Sequence, residues 1–505
     1  MSYTLKAPPN LPSRPMSPKT FPQRSAVLLT CLASLASCGD PAPADGPVPQ
    51  RVLLISLDTL RADHTGFGGY SKPTTPFLDS LAERGIVFEN HFANSNCTLP
   101  SHATMLTGLH YQTHGVKPVG PDDDILVVPQ SVTTLAERFQ ENGYATAGFA
   151  SHGTWLSKDY GFDQGFDVFK SSWDDADTVI ERYLDYLDET PAKQSFAFLH
   201  FFDIHSDNSR KGPCYPYQSS GELIAQFAGD KPEGFTGCST GEGREENCAS
   251  EYLKDLSLKK EPLPEDHLNY LMGLYDAGIR KMDDKLRDLF AVLEKRGQLK
   301  NTLVVITADH GESFNEHGTM LHDTHHDEVA RVPLIMLLPE SSGVAPRRIQ
   351  SLTQSTDLAP TILDLVGLEP IGQLPSLAPG IMENTAIADG FVLFHAHVGI
   401  GRDAEGDYKY LKIGGGKSPH FYDRSADPQE LHNRLEDAEY KEENRDRLLR
   451  VYQQMNELNK ANQLLHKSIM ARESGDTTKL SAEALEALKG LGYTDGGRSP
   501  DEPDE

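Results

Sequence analysis

Three short apolar runs each end just before an aspartate. Val52 to Leu57 stops at Asp58, Phe196 to Phe202 at Asp203, and Leu303 to Thr307 is followed by Ala308 and Asp309. Such runs are continuous rather than alternating, the pattern of strands covered on both faces. Ala145 to Ala150 and Val332 to Leu338 add two more apolar runs. Between them, helical spacing predicts helices over Pro76 to Glu83, Ser131 to Asn142, Thr178 to Leu187 and Glu265 to Arg296. This alternation predicts an α/β fold: a mixed, mostly parallel sheet between helices. Ligands of such sheets sit outside the carboxyl ends of the strands, so Asp58, Asp203 and Asp309 are expected to converge on one crevice. Ser206 to Glu261 breaks the pattern with Gly, Ser and charge, and is expected to form surface loops near the pocket mouth. Beyond residue 370 the pattern changes. Tyr408 to Ile413, three glycines and His420 to Asp423 suggest a hairpin-like pair, and Leu448 to Ile469 an amphipathic helix packed on the core. The expected organisation is a catalytic domain over 51–370 with an insert at 206–261, followed by a smaller α+β subdomain and helical tail over 371–505.

Composition narrows the class. The chain has 505 residues, 38% of them hydrophobic, with 42 Gly and 33 Pro, which suits one large core with a smaller appended unit. Its 74 acidic against 47 basic residues, a net charge of -27, argue against nucleic acid as a partner. The same balance suits a protein that holds cations, although solubility alone would account for it. After Lys19 and Arg24, the apolar stretch inside Ser25 to Ser37 is shorter than the ~20 residues a spanning helix needs. It leads into Leu35-Ala36-Ser37-Cys38, which resembles a bacterial lipoprotein signal; an ordinary cleaved secretory signal is the alternative. The reading is a signal over 1–37, a lipid on Cys38, and a flexible tether over 38–50. It implies export and anchoring to a bacterial membrane, periplasmic or cell-surface. Cys97, Cys214, Cys238 and Cys248 remain in the mature chain, with Cys238 and Cys248 the preferred disulfide pair.

The candidate chemistry lies in Thr98-Leu99-Pro100-Ser101-His102, between Asp58 and Asp309-His310-Gly311-Glu312. A hydroxyl is inert at neutral pH unless a cation lowers its pKa and orients it, and carboxylates with an imidazole supply that cation's ligands. Asp58, Asp309, His310 and Thr98 itself therefore make a one-metal site.

The order and spacing of these segments resemble the sulfatase branch of the alkaline phosphatase superfamily. Ile55 to Asp63 is similar to its first metal-ligand segment, Asp203-Ile204-His205 to its Asp-Pro-His, and Asp309 to Glu312 to its second metal segment. Thr107-Gly108-Leu109, His114-Gly115, Arg331 to Leu334, Asp357 to Thr361 and Leu491-Gly492-Tyr493 add to the resemblance. It implies an alkaline-phosphatase-like fold and a metal-dependent ester hydrolase. Thr59 stands where many sulfatases have a second aspartate, and His310 where some have asparagine. Both changes remove hard oxygen ligands and favour zinc or manganese over calcium. A second cation, on Asp203, His205 and a later histidine, is left open.

One departure bears on the reaction. The family's nucleophile position holds a cysteine that becomes formylglycine, and here it holds Thr98. A sulfated formylglycine expels sulfate by collapsing to its carbonyl; a threonine ester has no such exit and must be cleaved by water at the central atom. Phosphoryl enzymes do this readily, so threonine favours phosphorus over sulfur. The segment is also similar to that of nucleotide pyrophosphatases, and the superfamily's lipoteichoic acid synthases and phosphoethanolamine transferases likewise use threonine. Cys97, one residue too far from Pro100 for the modification signal, is expected to be a small buried or disulfide-bonded cysteine. His102 replaces the signature arginine and is assigned to orienting Thr98 or contacting substrate. His114, His205 and His322 fall where relatives carry anion-binding Lys or His, and each is a candidate proton donor to the leaving group, with His205 and His322 preferred as functional residues. The expected substrate is a phosphate or phosphonate ester of a small molecule, lipid or glycan. True sulfuric ester hydrolysis, headgroup transfer and an inactive binding protein are the alternatives.

Overall fold

The computed structural model describes residues 48–117, 127–151, 155–190, 194–207, 216–217, 219–236, 248–258, 263–371, 375–412 and 418–473. The signal, most of the tether, Cys214, Cys238, the side chain of Cys248 and the acidic C-terminal tail lie outside the described residues, so the expected disulfide does too. In chain order the strands are β1 (Arg51–Leu57), β2 (Ile86–Phe92), β3 (Ala145–Ser151), β4 (Val168–Ser172), β5 (Ser195–Phe201), β6 (Thr302–Thr307), β7 (Ser313–Phe314), β8 (Met320–Leu321), β9 (Leu334–Leu337) and β10 (Arg347–Gln354). The C-terminal part adds β11 (Val392–Phe394), β12 (Val398–Asp403), β13 (Gly406–Leu411) and β14 (His420–Asp423).

Eight strands form one sheet in the order β10-β2-β9-β6-β1-β5-β3-β4. Neighbours run parallel except β9, which is antiparallel to both β2 and β6. Within β1 the side chains alternate between two cores. Leu53, Ile55 and Leu57 join the layer containing the long helix Glu265–Lys295, while Val52 and Leu54 join the layer of helices Thr98–Thr107, Leu135–Glu141 and Leu358–Leu365. Helices on both faces explain why the strand reads as an unbroken apolar run. The register pairs Leu57 with Phe201 and Ser56 with Thr307, so β1, β5 and β6 end level. Asp58, Asp203 and Asp309 consequently leave the sheet at the same edge.

Several expectations need correction. The Ser206 to Glu261 insert is not all loop: helices Gly221–Phe227 and Cys248–Leu258 lie within it. Ser220 caps the first by accepting from the Leu223 N–H, and Gly273 of the long helix lets it approach, since a Cβ there would stand 2.4 Å from Ala228 Cα. The helix expected from Ser131 starts at Leu135, where Thr134 and Glu137 form a reciprocal capping box. Strands β2, β4 and β10 escaped prediction because polar residues interrupt them; in β2, Glu89 and Asn90 reach Arg348, Gln350 and the Gln350 carbonyl across to β10. The C-terminal hairpin is present as β13 and β14, but within a four-stranded antiparallel sheet, β11-β12-β13-β14, flanked by the helix Arg445–Glu473. Among the described residues no helix is long and apolar enough to cross a membrane.

Candidate active site and metal centre

Three ligand-bearing side chains meet where β1 and β6 end. One donor atom each of Asp58, Asp309 and His310 lies within 4.8 Å of the others, and all three residues are fully buried. The local chain is shaped to bring them there. Thr59 takes a left-handed conformation (φ 60), costly for a β-branched residue, which turns its N–H onto Asp309 Oδ1 at 3.2 Å. Tyr275 of the long helix holds that turn, donating to the Thr59 carbonyl at 2.6 Å and accepting from the Arg61 N–H at 2.9 Å. Gly311 has a different necessity: a Cβ would stand 2.1 Å from the Glu328 carbonyl oxygen.

The hydrogen bonds leave one acceptor free on each ligand. Asp309 Oδ1 accepts from Thr59 and from the His310 N–H, while Oδ2 has no partner. Asp58 Oδ2 meets His200 Nε2 at 3.1 Å and the Thr98 hydroxyl at 3.4 Å, while Oδ1 has none. His310 Nδ1 donates to the Gly311 carbonyl at 3.0 Å, fixing the tautomer whose Nε2 offers a lone pair, and Nε2 is also unpartnered. Buried polar atoms without partners are rare in a folded chain; here they face one another, as a cation's ligands would. The electrostatics agree. Burial, then the neighbouring Asp309, push the Asp58 carboxyl well above its ordinary range. Burial also raises Asp309, but His310, His102 and His200 outweigh it and hold that carboxyl low.

Thr98 opens the helix Thr98–Thr107, whose every residue is buried. Beneath it, His102 donates from Nδ1 to the Thr98 carbonyl and accepts at Nε2 from the Ser56 hydroxyl, both at 2.8 Å. Both ring nitrogens are used and the ring is fully buried, so His102 orients the first turn and has no atom left for substrate. His114 likewise departs from its expected role: its ring bonds Thr104 Oγ1 at 3.1 Å and the Val116 N–H at 3.1 Å, bracing a turn. Asp203 leaves the sheet edge as expected but lies 3.6 Å from Lys281 and accepts from the backbone of Ala176, and it is not among the three residues of the ligand cluster. His317 and His326 stack on each other at 3.5 Å and pair with Glu328 and Glu430, outside the cluster.

His205 and His322 do face each other at the site, ring centroids 5.7 Å apart, with His322 4.6 Å from His310. His205 stacks on Phe202 at 4.1 Å and accepts at Nδ1 from the Asp207 N–H, so Nε2 carries its proton. Burial pushes the His205 imidazole down to about 3 and His322 well below its usual value, keeping both neutral. Cys97 is a free thiol, and burial pushes its pKa up to about 12.

Two residues emerge only in three dimensions. His200, hidden in an apolar strand run, supports Asp58 from below, and burial holds its pKa near about 4. Glu312 is fully buried with neither carboxylate oxygen bonded among the described residues, and its Oε1 lies 3.9 Å from His322 Nδ1. Their polarity inside otherwise apolar or ligand-bearing segments was the only signal.

A buried two-carboxylate, one-imidazole cluster beside a helix-borne hydroxyl suits metal-dependent ester hydrolysis, and the comparisons with known proteins make the chain a hydrolase of phosphoric or sulfuric esters. The family description "Sulfatase" matches residues 50–368, and the chain belongs to the sulfatase family. It is 23% identical over 486 residues to the multifunctional alkaline phosphatase superfamily protein PehA of Trinickia caryophylli, covering 77% of this chain and 92% of that one. The Δ4,5-hexuronate-2-O-sulfatase of Bacteroides thetaiotaomicron is 26% identical over 446 residues, covering 80% and 88%. Among solved structures, the phosphonate monoester hydrolase of Agrobacterium radiobacter superposes with a TM-score of 0.61 at 21% identity, covering 81% of this chain and 96% of that chain.

Proposed function

We propose that this chain hydrolyses phosphate or phosphonate esters through Thr98, with Asp58, Asp309, His310 and Thr98 as ligands of one divalent cation. The observation that carries the reading is the Thr98 hydroxyl, 3.4 Å from Asp58 Oδ2 at the rim of the unpartnered ligand cluster. Zinc or manganese suits this donor set better than calcium, because it includes an imidazole and few hard oxygens. A bound cation supplies a lowered hydroxyl pKa and charge stabilisation of the transferring group. The remaining work falls to the chain. His102 and Ser56 hold the first turn of the helix so that Thr98 Oγ faces the ester. Thr98 Oγ attacks phosphorus, its proton passing to solvent, and the bond from phosphorus to the leaving oxygen breaks. His205 and His322, neutral in the free protein, donate N–H bonds to the anionic oxygens; the arriving negative charge raises their proton affinity, so that one takes up a proton from solvent and passes it to the leaving oxygen, returning to the neutral imidazole. Water then attacks phosphorus and Thr98 Oγ departs, taking a proton back.

The sulfatase relatives favour a second reading, hydrolysis of a glycan sulfate ester in the same site. A panel of aryl sulfate, phosphate monoester, phosphodiester and phosphonate esters, assayed with zinc and with manganese, separates the two. Preferred turnover of a phosphorus ester, abolished in Thr98→Ala, is expected. Full activity in Thr98→Ala, or turnover of sulfate alone, would sink the first reading. We also read Cys38 as a lipidated first residue of an exported chain; palmitate labelling lost in Cys38→Ala tests it.

A further inference from the structure

We propose that His395, brought into the site by the turn between β11 and β12, is a positioning residue that sets Asn96 and, through it, the nucleophile segment and His322. This rests on the reading of Thr98 as nucleophile, two residues after Asn96. His395 lies beyond the part of the chain that matches the family description, which ends at residue 368. It is nonetheless buried against the nucleophile loop. Its backbone is left-handed (φ 50), a conformation retained in a side-chain-bearing residue only when its surroundings enforce it.

The bonds explain what is enforced. The His395 N–H donates to the Asn94 carbonyl at 3.0 Å, and Asn94 Nδ2 returns a bond to the Leu393 carbonyl at 3.0 Å, so turn and loop are laced along their backbones. His395 Nε2 then stands 2.6 Å from Asn96 Oδ1. Asn96 Nδ2 is committed to the His322 carbonyl at 2.6 Å, so Oδ1 is the acceptor of the short bond and His395 Nε2 its donor; the Asn96 N–H, 3.3 Å from the same nitrogen, makes the longer and weaker of the two contacts. One carboxamide thus ties the segment entering Thr98 to the turn presenting His322, where Leu321 is also left-handed (φ 66). The turn is braced from behind: Tyr111 accepts from the Ala396 N–H at 3.2 Å, and Asn459 of the C-terminal helix donates to the Ala396 carbonyl at 2.8 Å. The C-terminal subdomain therefore registers the two sides of the site against each other, and the sulfatase-matching region alone lacks that register.

The test uses the full-length, metal-loaded enzyme with whichever ester of the panel it turns over best. In His395→Ala, kcat is expected to fall about ten- to hundredfold with KM nearly unchanged, the signature of a displaced nucleophile. Asn96→Ala should cost as much, and the double variant no more than either alone. His395→Gln, whose amide can donate to Asn96 Oδ1, should recover most of the loss. Metal content by mass spectrometry should stay at the wild-type level throughout. Wild-type kcat in His395→Ala, multiplying losses in the double variant, or a glutamine variant as poor as alanine would each overturn the proposal. Should His395→Ala fail to fold, Asn96→Ala and His395→Gln carry the same comparison. Thr98→Ala separates the two readings: an active Thr98→Ala refutes the nucleophile assignment, whereas an inactive one beside a fully active His395→Ala refutes only the positioning role.

Discussion

Replacing Asp58 by asparagine should move the metal-free and metal-loaded proteins in opposite directions. Asp58 and Asp309 are both fully buried, and Asp58 Oδ1 and Asp309 Oδ2 have no partners. Without a cation the two carboxylates repel, and burial with that repulsion raises the Asp58 carboxyl well above its usual range. A carboxyl raised in the folded state is ionised more easily in the unfolded one. Stability is thus lost as pH rises above the unfolded value, and at neutral pH Asp58 is a net cost. Asparagine keeps an oxygen for His200 and removes the charge, so metal-free Asp58→Asn should gain about 1–3 kcal/mol, the scale of an uncompensated buried polar group. With cation at a hundredfold above its dissociation constant, the wild type should gain about 2.7 kcal/mol. At about 2 °C per kcal/mol for a domain this large, that is a rise of about 5 °C in Tm. Calorimetry of chelator-stripped protein, before and after adding zinc or manganese, reads both effects. The expected result is a stripped variant melting about 2–6 °C above stripped wild type, with its cation-dependent rise largely abolished. A stripped variant that melts lower, or a cation that stabilises both proteins equally, would refute the assignment of these carboxylates as ligands.

Tyr275→Phe removes the hydroxyl that bonds the Thr59 carbonyl and the Arg61 N–H; it should cost about 1–3 kcal/mol in urea unfolding and weaken cation binding by loosening the Thr59 turn. Unchanged stability and metal affinity would show that Tyr275 does not hold the turn. Gly311→Ala forces a methyl against the Glu328 carbonyl, so metal content per chain should fall sharply, and full occupancy would contradict the packing argument. Asp357, whose carboxyl is raised by burial from 3.8 to about 7 while accepting from the Gln354 N–H, gives a pH signature. The folded state holds the extra proton within that window, so stability falls as pH rises through it, at about 1.4 kcal/mol per pH unit. Asp357→Asn should therefore raise Tm markedly at about pH 8 and little at about pH 4, and an equal shift at both would refute the burial argument.

Much of the site was legible along the chain because strands covered on both faces leave an unambiguous apolar signature. The runs ending at Asp58 and Asp309 placed these residues at strand ends, and parallel register then made convergence a geometric necessity. Asp203 shows where that reasoning stops. It leaves the same edge, yet its carboxylate pairs with Lys281, a choice made by the long helix packed beside it. The histidines divide in the same way. His205 and His322 come together at the site, while His102 and His114 spend both ring nitrogens on the backbone and neighbouring hydroxyls.

The order of segments was enough to indicate the α/β class, the family and the residue types of the candidate ligands, since each depends on local pattern and residue type. Tertiary packing alone decided which polar atoms were left without partners, because that depends on neighbours far away in the chain. Glu312, the support of Asp58 by His200, and the reach of His395 from beyond the matched region onto Asn96 all belong to this second category. A side chain's chemistry is written in its identity, but its availability is set by whatever else fills its hydrogen-bonding capacity.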